Sequence, residues 1–195
     1  MEKSLFPGYT IGPDAYEDIK NVCPAFGKKV AIIGGGIGYA GPHFVHTFDL
    51  LLPPEKYFAE HPEYYALIDG KRTAKHLYSQ PCLSNPDVLR IMIEGIRSWL
   101  RDNPEARLVS VSQNDSFVIG SYCTCPACRA VNEEEGAPSG SLIRFVNAVA
   151  EALESEFPEV TFDPLAYQYS TQPPKLTHPR HNVAIRMCTG GCSSH

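Results

Sequence analysis

The stretch SVSQNDS, residues 110–116, places a carboxylic acid beside an amide at the end of an apolar run. The apolar run predicts a strand, and Asn114 and Asp115 follow at its carboxyl end. In α/β barrels catalytic groups lie at this end of the strands, because loops there vary while the barrel stays packed. Asp115 can protonate a glycosidic oxygen from that position, and the Asn114 amide can hold a sugar hydroxyl. An Asx-type cap on the following loop is the structural alternative.

Other polar and aromatic side chains are candidates for the same edge. Tyr167, Gln168 and Tyr169 end the predicted strand LAYQY, where aromatic faces can stack on sugar rings and an amide can bind hydroxyls. Both tyrosines can equally well be packing residues. His46 is a candidate for the pocket, although a lone histidine also serves structural roles. Arg186 can bind a uronate carboxylate with two hydrogen bonds, or form a buried ion pair.

Three cysteines lie close together just after this candidate edge. Cys123, Cys125 and Cys128 form C-T-C-P-A-C, and three thiols at this spacing can converge on Zn²⁺, which takes four nitrogen or sulfur ligands. The candidates for a fourth ligand are Cys82, Cys188, Cys192 and His195. Disulfides and free buried thiols remain alternatives, although the seven cysteines of the chain cannot all pair with one another. The expected role is structural in each case.

A glycine-rich turn near the N-terminus fits the dinucleotide-binding spacing without its context. Gly36, Gly38 and Gly41 match G-x-G-x-x-G after the apolar run of residues 28–35. The third glycine of that fingerprint must lead into a helix, whereas Gly41 is followed by PHFVHTF, which is more typical of a strand. We therefore expect a glycine turn here and no bound dinucleotide.

The elements that must position these groups alternate between strand and helix. Asn85 is the expected N-cap of a helix that has Pro86 at its first position and ends at Asn103-Pro104. A second amphipathic helix is predicted in SGSLIRFVNAVAEALESEFP, and a short one over residues 14–22. Strands are predicted in KKVAIIGG, ARLVSVSQND, TFDPLAYQY and NVAIRMC, and HFVHTF is a further candidate. Asp69-Gly70 predicts a turn.

This alternation predicts an α/β fold with a parallel sheet, either a barrel or an open doubly wound sheet. At 195 residues the chain can bury a sizeable core, and its net charge of −5 without a basic cluster argues against nucleic acid. No apolar run approaches the roughly 20 residues of a membrane helix. The N-terminus lacks a signal-peptide core, so the chain as it stands is expected to be cytoplasmic, or a fragment of an exported protein.

Two resemblances to known families divide the chain. LFPGYTIGPDAYEDIKNVCPAFGKKVAIIGG resembles the N-terminal strand–helix–strand of iron-type alcohol and glycerol dehydrogenases, without a catalytic motif of that family. From about residue 39 to the end the chain is similar to a bacterial glycoside-hydrolase-like barrel domain of unknown function, related in outline to α-glucuronidase and hexosaminidase barrels. The stretches QPCLSNPDV, SVSQNDS, YCTCPACRAVNEEEG and IRMCTGGCSSH are among those that carry it. We therefore expect a segment 1–38, a fusion seam near residues 35–40, and a partial (β/α)8 barrel over residues 39–195.

The second resemblance implies a carbohydrate-active domain with Asp115 as general acid or base. Related retaining glycosidases carry Asn-Glu or Asp-Glu at the end of the fourth barrel strand, and Asn114-Asp115 has this layout with a shorter acid. An incomplete barrel would be inactive, so a non-catalytic carbohydrate-binding or structural fragment is the alternative. A dehydrogenase-like nucleotide binder is the third hypothesis, which NADH titration tests. Exposed strand edges would also favour self-association.

Overall fold

The computed structural model describes residues 42–75, 79–116 and 120–188, and the backbone of two short N-terminal strands. The helices are α1 (Phe48–Leu51), α2 (Pro54–Tyr57), α3 (Pro86–Asp102), α4 (Pro126–Glu135) and α5 (Ser139–Leu153). The strands are β1 (Ser4–Phe6), β2 (Tyr9–Ile11), β3 (Leu67–Ile68), β4 (Lys71–Arg72), β5 (Leu108–Ser110), β6 (Thr161–Asp163), β7 (Leu165–Ala166) and β8 (Arg186–Met187). Two 3-10 turns lie at Pro62–Tyr64 and Gln168–Ser170.

Helix α3 begins and ends as the sequence predicts. The Asn85 side chain accepts hydrogen bonds from the backbone N–H groups of Asp87 and Val88, and Pro86 occupies the first turn, where no N–H donor is needed. The buried face of the helix consists of Val88, Met92, Ile96 and Leu100. These residues recur at three- and four-residue spacing, so one stripe of the helix packs against the core.

The strands are short and their crossover pairs are parallel. Strand β5 pairs with β6 in the register Leu108–Thr161 to Ser110–Asp163, and α4 and α5 connect the two. Strand β7 follows β6 directly after Pro164 and pairs in parallel with β8. A parallel bridge also joins Phe162 to Val183. The predicted α/β class with parallel strand pairs is therefore present, as a mixture of helices and short parallel sheets.

The main hydrophobic core lies between these strands and the helices α3 and α5. Helix α5 contributes the whole predicted stripe, because Leu142, Phe145, Val146, Val149 and Leu153 are all buried. The Phe48 and Phe145 rings meet edge to face, with centroids 6.0 Å apart. The other members of the core come from both flanks of the sheet and include Leu52, Tyr65, Met92, Ile96, Val109, Val111 and Phe162.

The prediction of a strand in HFVHTF is wrong. Phe48 begins helix α1, and His46 adopts a left-handed backbone conformation with φ of 56°. The backbone N–H groups of Thr47 and Phe48 both donate to the carbonyl of Ser112, and the Thr47 hydroxyl donates to the carbonyl of Ser110. These bonds turn the chain at the end of β5 instead of extending it, and tertiary hydrogen bonds thus override the local pattern.

The predicted Asp69-Gly70 turn joins β3 and β4 in a two-residue hairpin. Both residues have positive φ, 48° and 75°, as the tight turn of a two-residue hairpin requires, and glycine adopts this conformation without strain. The predicted elements over 14–22 and 28–35, the glycine turn and the seam lie outside the described residues, where only the antiparallel pair of β1 and β2 is defined. No described helix is long and apolar enough to cross a membrane.

Candidate functional site

The carboxyl ends of β5 and β7 bring Asp115 and Tyr167 together. The Tyr167 hydroxyl donates a hydrogen bond of 2.9 Å to Asp115 Oδ1, across 52 residues of sequence. A hydrogen bond with Gln168 lowers the pKa of Tyr167, but burial and the Asp115 carboxylate raise it more, and the net pKa lies above the ordinary value. This phenol therefore stays protonated as a donor at neutral pH. Two of the predicted edge residues thus share one partly exposed site.

Asn114 holds a second carboxylate at this edge. Its Nδ2 donates to Asp49 Oδ1 at 2.6 Å and to the Ser79 carbonyl at 3.1 Å, while its Oδ1 accepts from the Asp49 backbone N–H at 2.9 Å. These bonds of the Asn114 side chain therefore join it to α1 and to residue 79, and not to its own loop. Asp49 was not among the predicted site residues, because nothing in its local sequence links it to a segment 65 residues away.

Two buried glutamines hold the backbone next to Asp115: Gln80 bonds to Asn114, and Gln113 bonds to the segment around β7. Gln80, 1% exposed, accepts the Asn114 N–H at 2.9 Å and donates to the Asn114 carbonyl at 3.0 Å. Gln113 Nε2 donates to the Leu165 carbonyl at 3.2 Å and to Ser170 Oγ at 2.6 Å, so it ties the end of β5 to β7. Sequence analysis missed both residues, since a buried amide carries no signal in spacing.

His46 lies at the same edge. Its Nδ1 is 2.8 Å from the Gln113 carbonyl, and its ring centroid is 5.8 Å from that of Tyr167. His46 and Gln168, with φ of 56° and 52°, are two non-glycine residues in the left-handed region. Strained backbone of this kind persists where surrounding contacts impose it, and such positions cluster at functional sites.

Arg186 and Tyr169 lie in surroundings that favour their structural alternatives. Arg186 forms an ion pair with Asp163, which is almost fully buried, and its guanidinium stacks 4.5 Å from the Phe44 ring centroid. Burial raises the pKa of Asp163 to about 7, although the charge of Arg186 opposes this. The Tyr169 ring packs 5.2 Å from that of Tyr122, and both rings line a small pocket together with cysteines. Burial raises the pKa of Tyr169.

Four cysteines converge beneath this edge. The sulfur atoms of Cys82, Cys123, Cys125 and Cys128 lie within 4.8 Å of one another, and all four residues are buried. Cys82 Sγ is 3.6 Å from that of Cys125 and 3.8 Å from that of Cys128. The structure thus selects Cys82 from the candidates for the fourth ligand. Cys188 lies outside the cluster, and Cys192 and His195 lie outside the described residues.

Two of the sulfur–sulfur distances, 3.6 and 3.8 Å, are those of a mononuclear thiolate site, and the whole set lies within 4.8 Å. A tetrahedral zinc ion with Zn–S bonds of about 2.3 Å places its ligand sulfurs about 3.8 Å apart. A polynuclear iron–sulfur cluster inserts several atoms between its ligands and separates them further. The four clustered cysteines form no disulfides with one another. The four clustered cysteines can therefore hold one metal ion of zinc size.

The surroundings of the cluster favour a thiolate. Cys123 Sγ accepts hydrogen bonds from the Leu67 N–H at 3.3 Å and from the Arg72 guanidinium at 3.7 Å. Hydrogen bonds from Cys128 and Cys82 lower the pKa of Cys123 far below its usual value, and the same contact raises the pKa of Cys82 to about 12. Since metal ligands must be deprotonated, Cys82 and Cys128 could not donate to Cys123 beside a bound cation, and of these donors the Leu67 N–H and the Arg72 guanidinium would remain.

The comparisons with known proteins place this mixed α/β chain in a family without assigned function. The chain belongs to the family described as Domain of unknown function (DUF4838), whose profile matches residues 20–195. The expected resemblance to a domain of unknown function is thereby confirmed, and the match begins at residue 20 instead of about residue 39. No curated protein matches the chain.

One similar solved structure is the GH36 alpha-galactosidase AgaB from Geobacillus stearothermophilus. The two are 18% identical with a TM-score of 0.34, and the match covers 55% of this chain and 14% of that protein. The chain therefore matches only a small part of the galactosidase, and a likeness at this level does not define a common activity.

Proposed function

We propose that this chain is a glycoside-hydrolase-like domain that binds a carbohydrate where β5 and β7 end, with Asp115 as general acid or base. The observation that carries the proposal is the hydrogen bond between Tyr167 and Asp115, which follow the carboxyl ends of β7 and β5, strands of two separate parallel pairs. Active sites of (β/α)8 barrels lie at this edge, and the parallel pairs β5–β6 and β7–β8 fit part of such a barrel.

The groups at this edge supply the parts that glycoside hydrolysis needs. Protonated Asp115 would give its proton to the glycosidic oxygen as the bond to the anomeric carbon breaks. Asp49, held by Asn114, is a candidate for the second carboxylate that activates water or attacks the sugar. The rings of His46 and Tyr167 offer an aromatic wall for a sugar face.

Substitution of Asp115 tests this function. Wild-type protein would be titrated with a panel of oligosaccharides by calorimetry and assayed on nitrophenyl glycosides, uronides included. Asp115→Asn is expected to lower kcat by about 10²- to 10⁴-fold and to retain sugar affinity, since an amide cannot donate the acid proton. Asp102→Asn, the same exchange at the exposed end of α3, should behave like the wild type.

The outcomes separate the two carbohydrate hypotheses. Sugar binding without turnover in the wild type would favour the non-catalytic binding domain. Turnover unchanged in Asp115→Asn would remove Asp115 from the mechanism, and a wild type that neither binds nor hydrolyses any sugar would overturn the proposal.

We further infer that the four cysteines hold a structural zinc ion. The support is their sulfur spacing, their burial and their number, because four thiolates fill the four positions of a tetrahedral zinc ion. Elemental analysis of the purified protein should give about one zinc ion per chain. Cys82→Ser should lose the metal and Cys188→Ser should keep it. Disulfide-linked or metal-free wild type would contradict the assignment.

A further inference from the structure

We propose that the metal in the cysteine cluster holds the candidate carbohydrate site in shape through residues 79–82, with Gln80 as the positioning residue. The inference rests on the proposed function for its consequence, and on the contacts of these residues for its physical basis. Occupancy of the metal site would thereby control the edge that carries Asn114 and Asp115.

Residues 79–82 connect the cysteine cluster to the candidate carbohydrate site within four residues of the chain. Cys82 is a cluster member, and Gln80, two residues earlier, pairs with both backbone groups of Asn114. The Ser79 carbonyl accepts a further bond from the Asn114 side chain at 3.1 Å. Residues 79–82 are all buried, so no water competes for these contacts.

The other side of residues 79–82 is fixed by the segment before β3. The Ala66 N–H donates to the Gln80 carbonyl at 2.8 Å, and the Cys82 N–H donates to the Tyr64 carbonyl at 2.8 Å. Leu67 in turn donates its N–H to Cys123 Sγ and accepts a bond from the Thr124 N–H. Cys82 and Cys123 are thus both hydrogen-bonded to the segment 64–67. A metal ion bound by both cysteines would fix their positions relative to each other.

A loss of the metal would remove the bond to Cys82 from residues 79–82. Cys82 would no longer be bonded to the α4 side of the cluster, and residues 79–82 would be held by their hydrogen bonds to Tyr64, Ala66 and Asn114. Because Gln80 supplies both bonds to the Asn114 backbone, a shift of these residues moves Asn114 and its neighbour Asp115. Outer contacts of this kind, which join a metal ligand to a functional group, tune sites throughout metalloproteins.

Amide hydrogen exchange measures this coupling without any sugar. In zinc-loaded wild type the Asn114 amide should exchange slowly, since its N–H is bonded to Gln80. Gln80→Met keeps the volume and removes both bonds; the Asn114 amide should then exchange about tenfold or more faster while about one zinc per chain stays bound. Gln172→Met, at an exposed glutamine, is the matched control.

Removal of the metal from the wild type should reproduce the effect of Gln80→Met. The Asn114 amide should accelerate about tenfold or more, while amides in the buried face of α5 keep their rates. If metal removal also exposes α5, the zinc-loaded Gln80→Met protein decides the question. Unchanged Asn114 exchange in that variant, or after selective metal loss, would overturn the inference.

Sugar binding is a separate readout. If the wild type binds no sugar, the proposed function fails while the exchange data still decide the coupling. If the wild type binds sugar and the depleted protein binds it equally well, the coupling fails and the function stands.

Discussion

Glu135 shows how one buried charge can hold a loop in place. It is fully buried, and its carboxylate accepts hydrogen bonds from the Arg144 side chain, from the Thr177 hydroxyl and from the N–H groups of Leu176 and Thr177. Burial alone would raise its pKa, but these donors outweigh it and lower the pKa to about 2. The carboxylate therefore joins the end of α4 to α5 and to residues 176–177.

We predict that Glu135→Gln lowers the free energy of unfolding at pH 7 by about 2 kcal/mol, because charged hydrogen bonds are replaced by weaker ones. Because the pKa of Glu135 is lower in the folded protein than in the unfolded chain, its carboxylate stabilises the fold at pH values above the unfolded pKa. The difference in unfolding free energy between the variant and the wild type should therefore disappear as the pH falls from about 4.5 towards 2. Chemical denaturation across this range measures it. Glu134→Gln, which removes an exposed partner of the same Arg144, should change stability by less than about 0.5 kcal/mol.

Asp163 should act in the opposite direction. Its folded pKa of about 7 lies above the unfolded value, so the folded protein binds an extra proton between about pH 4 and 7 and loses stability as pH rises through this window. We predict that the wild type loses up to about 4 kcal/mol relative to Asp163→Asn across it. The test is the slope, since the variant also leaves Arg186 without its carboxylate. Asp102→Asn should run parallel to the wild type; parallel curves for Asp163→Asn would contradict the prediction.

At the scale of the helices, the turn between α4 and α5 depends on a close approach. A Cβ atom on Gly140 would lie 2.4 Å from both Cβ and Cγ of Glu135, a side chain that its hydrogen bonds hold in place. A Cβ on Gly95 in α3 would instead meet the flexible end of Leu51 at 2.8 Å. The same substitution therefore has two different outcomes in two helices.

We predict that Gly140→Ala destabilises the protein by about 1–3 kcal/mol, since the backbone must shift to admit the methyl group. Gly95→Ala should stay within about 1 kcal/mol of the wild type, because the gain in helix propensity offsets the movement of Leu51. Thermal and urea denaturation of both variants provide the comparison. Equal effects would show that the distance to Glu135 is not what decides the outcome.

The sequence predicts those elements whose signals are local. Helices α3 and α5 carry long apolar stripes, and the capping residues of α3 are adjacent to that helix in the sequence. The spacing of the residues therefore predicts both helices. Helix α4 was not predicted, since it buries only Cys128 and Glu135 and has no apolar stripe. The error at HFVHTF, the choice of Cys82 and the role of Gln80 share one cause: each depends on partners more than 30 residues away.

At the scale of the whole molecule, the described residues bury two separate clusters of unequal kind. The larger is an ordinary hydrophobic core around α3, α5 and the strands. The smaller contains Ala66 and the four clustered cysteines, with only Leu67 and Ile68 packed against it. So little apolar surface leaves hydrogen bonds, such as that from the Thr124 N–H to the Leu67 carbonyl, to join the β3–β4 hairpin to the segment before α4, and metal bonds would add to them.

We therefore predict that a zinc chelator lowers the melting temperature and that added Zn²⁺ restores it. Mg²⁺ should not, because it prefers oxygen ligands to thiolates. Scanning calorimetry with each ion measures the effect. A melting temperature indifferent to chelator would mean that the smaller cluster is held together without a metal.

The positions of the four cysteines along the chain also imply an order of assembly. Cys123, Cys125 and Cys128 can capture an ion while the chain is still unfolded, whereas Cys82 lies 43 residues before Cys125. Closing that loop carries an entropic cost that is recovered only once α3 and β5 have formed between them. The ion would first be bound by three thiolates, from which it can still exchange with ions in solution. It would exchange slowly only after Cys82 has bound as the fourth ligand. The rate at which the protein releases its ion would then report how often the intervening helix and strand come undone.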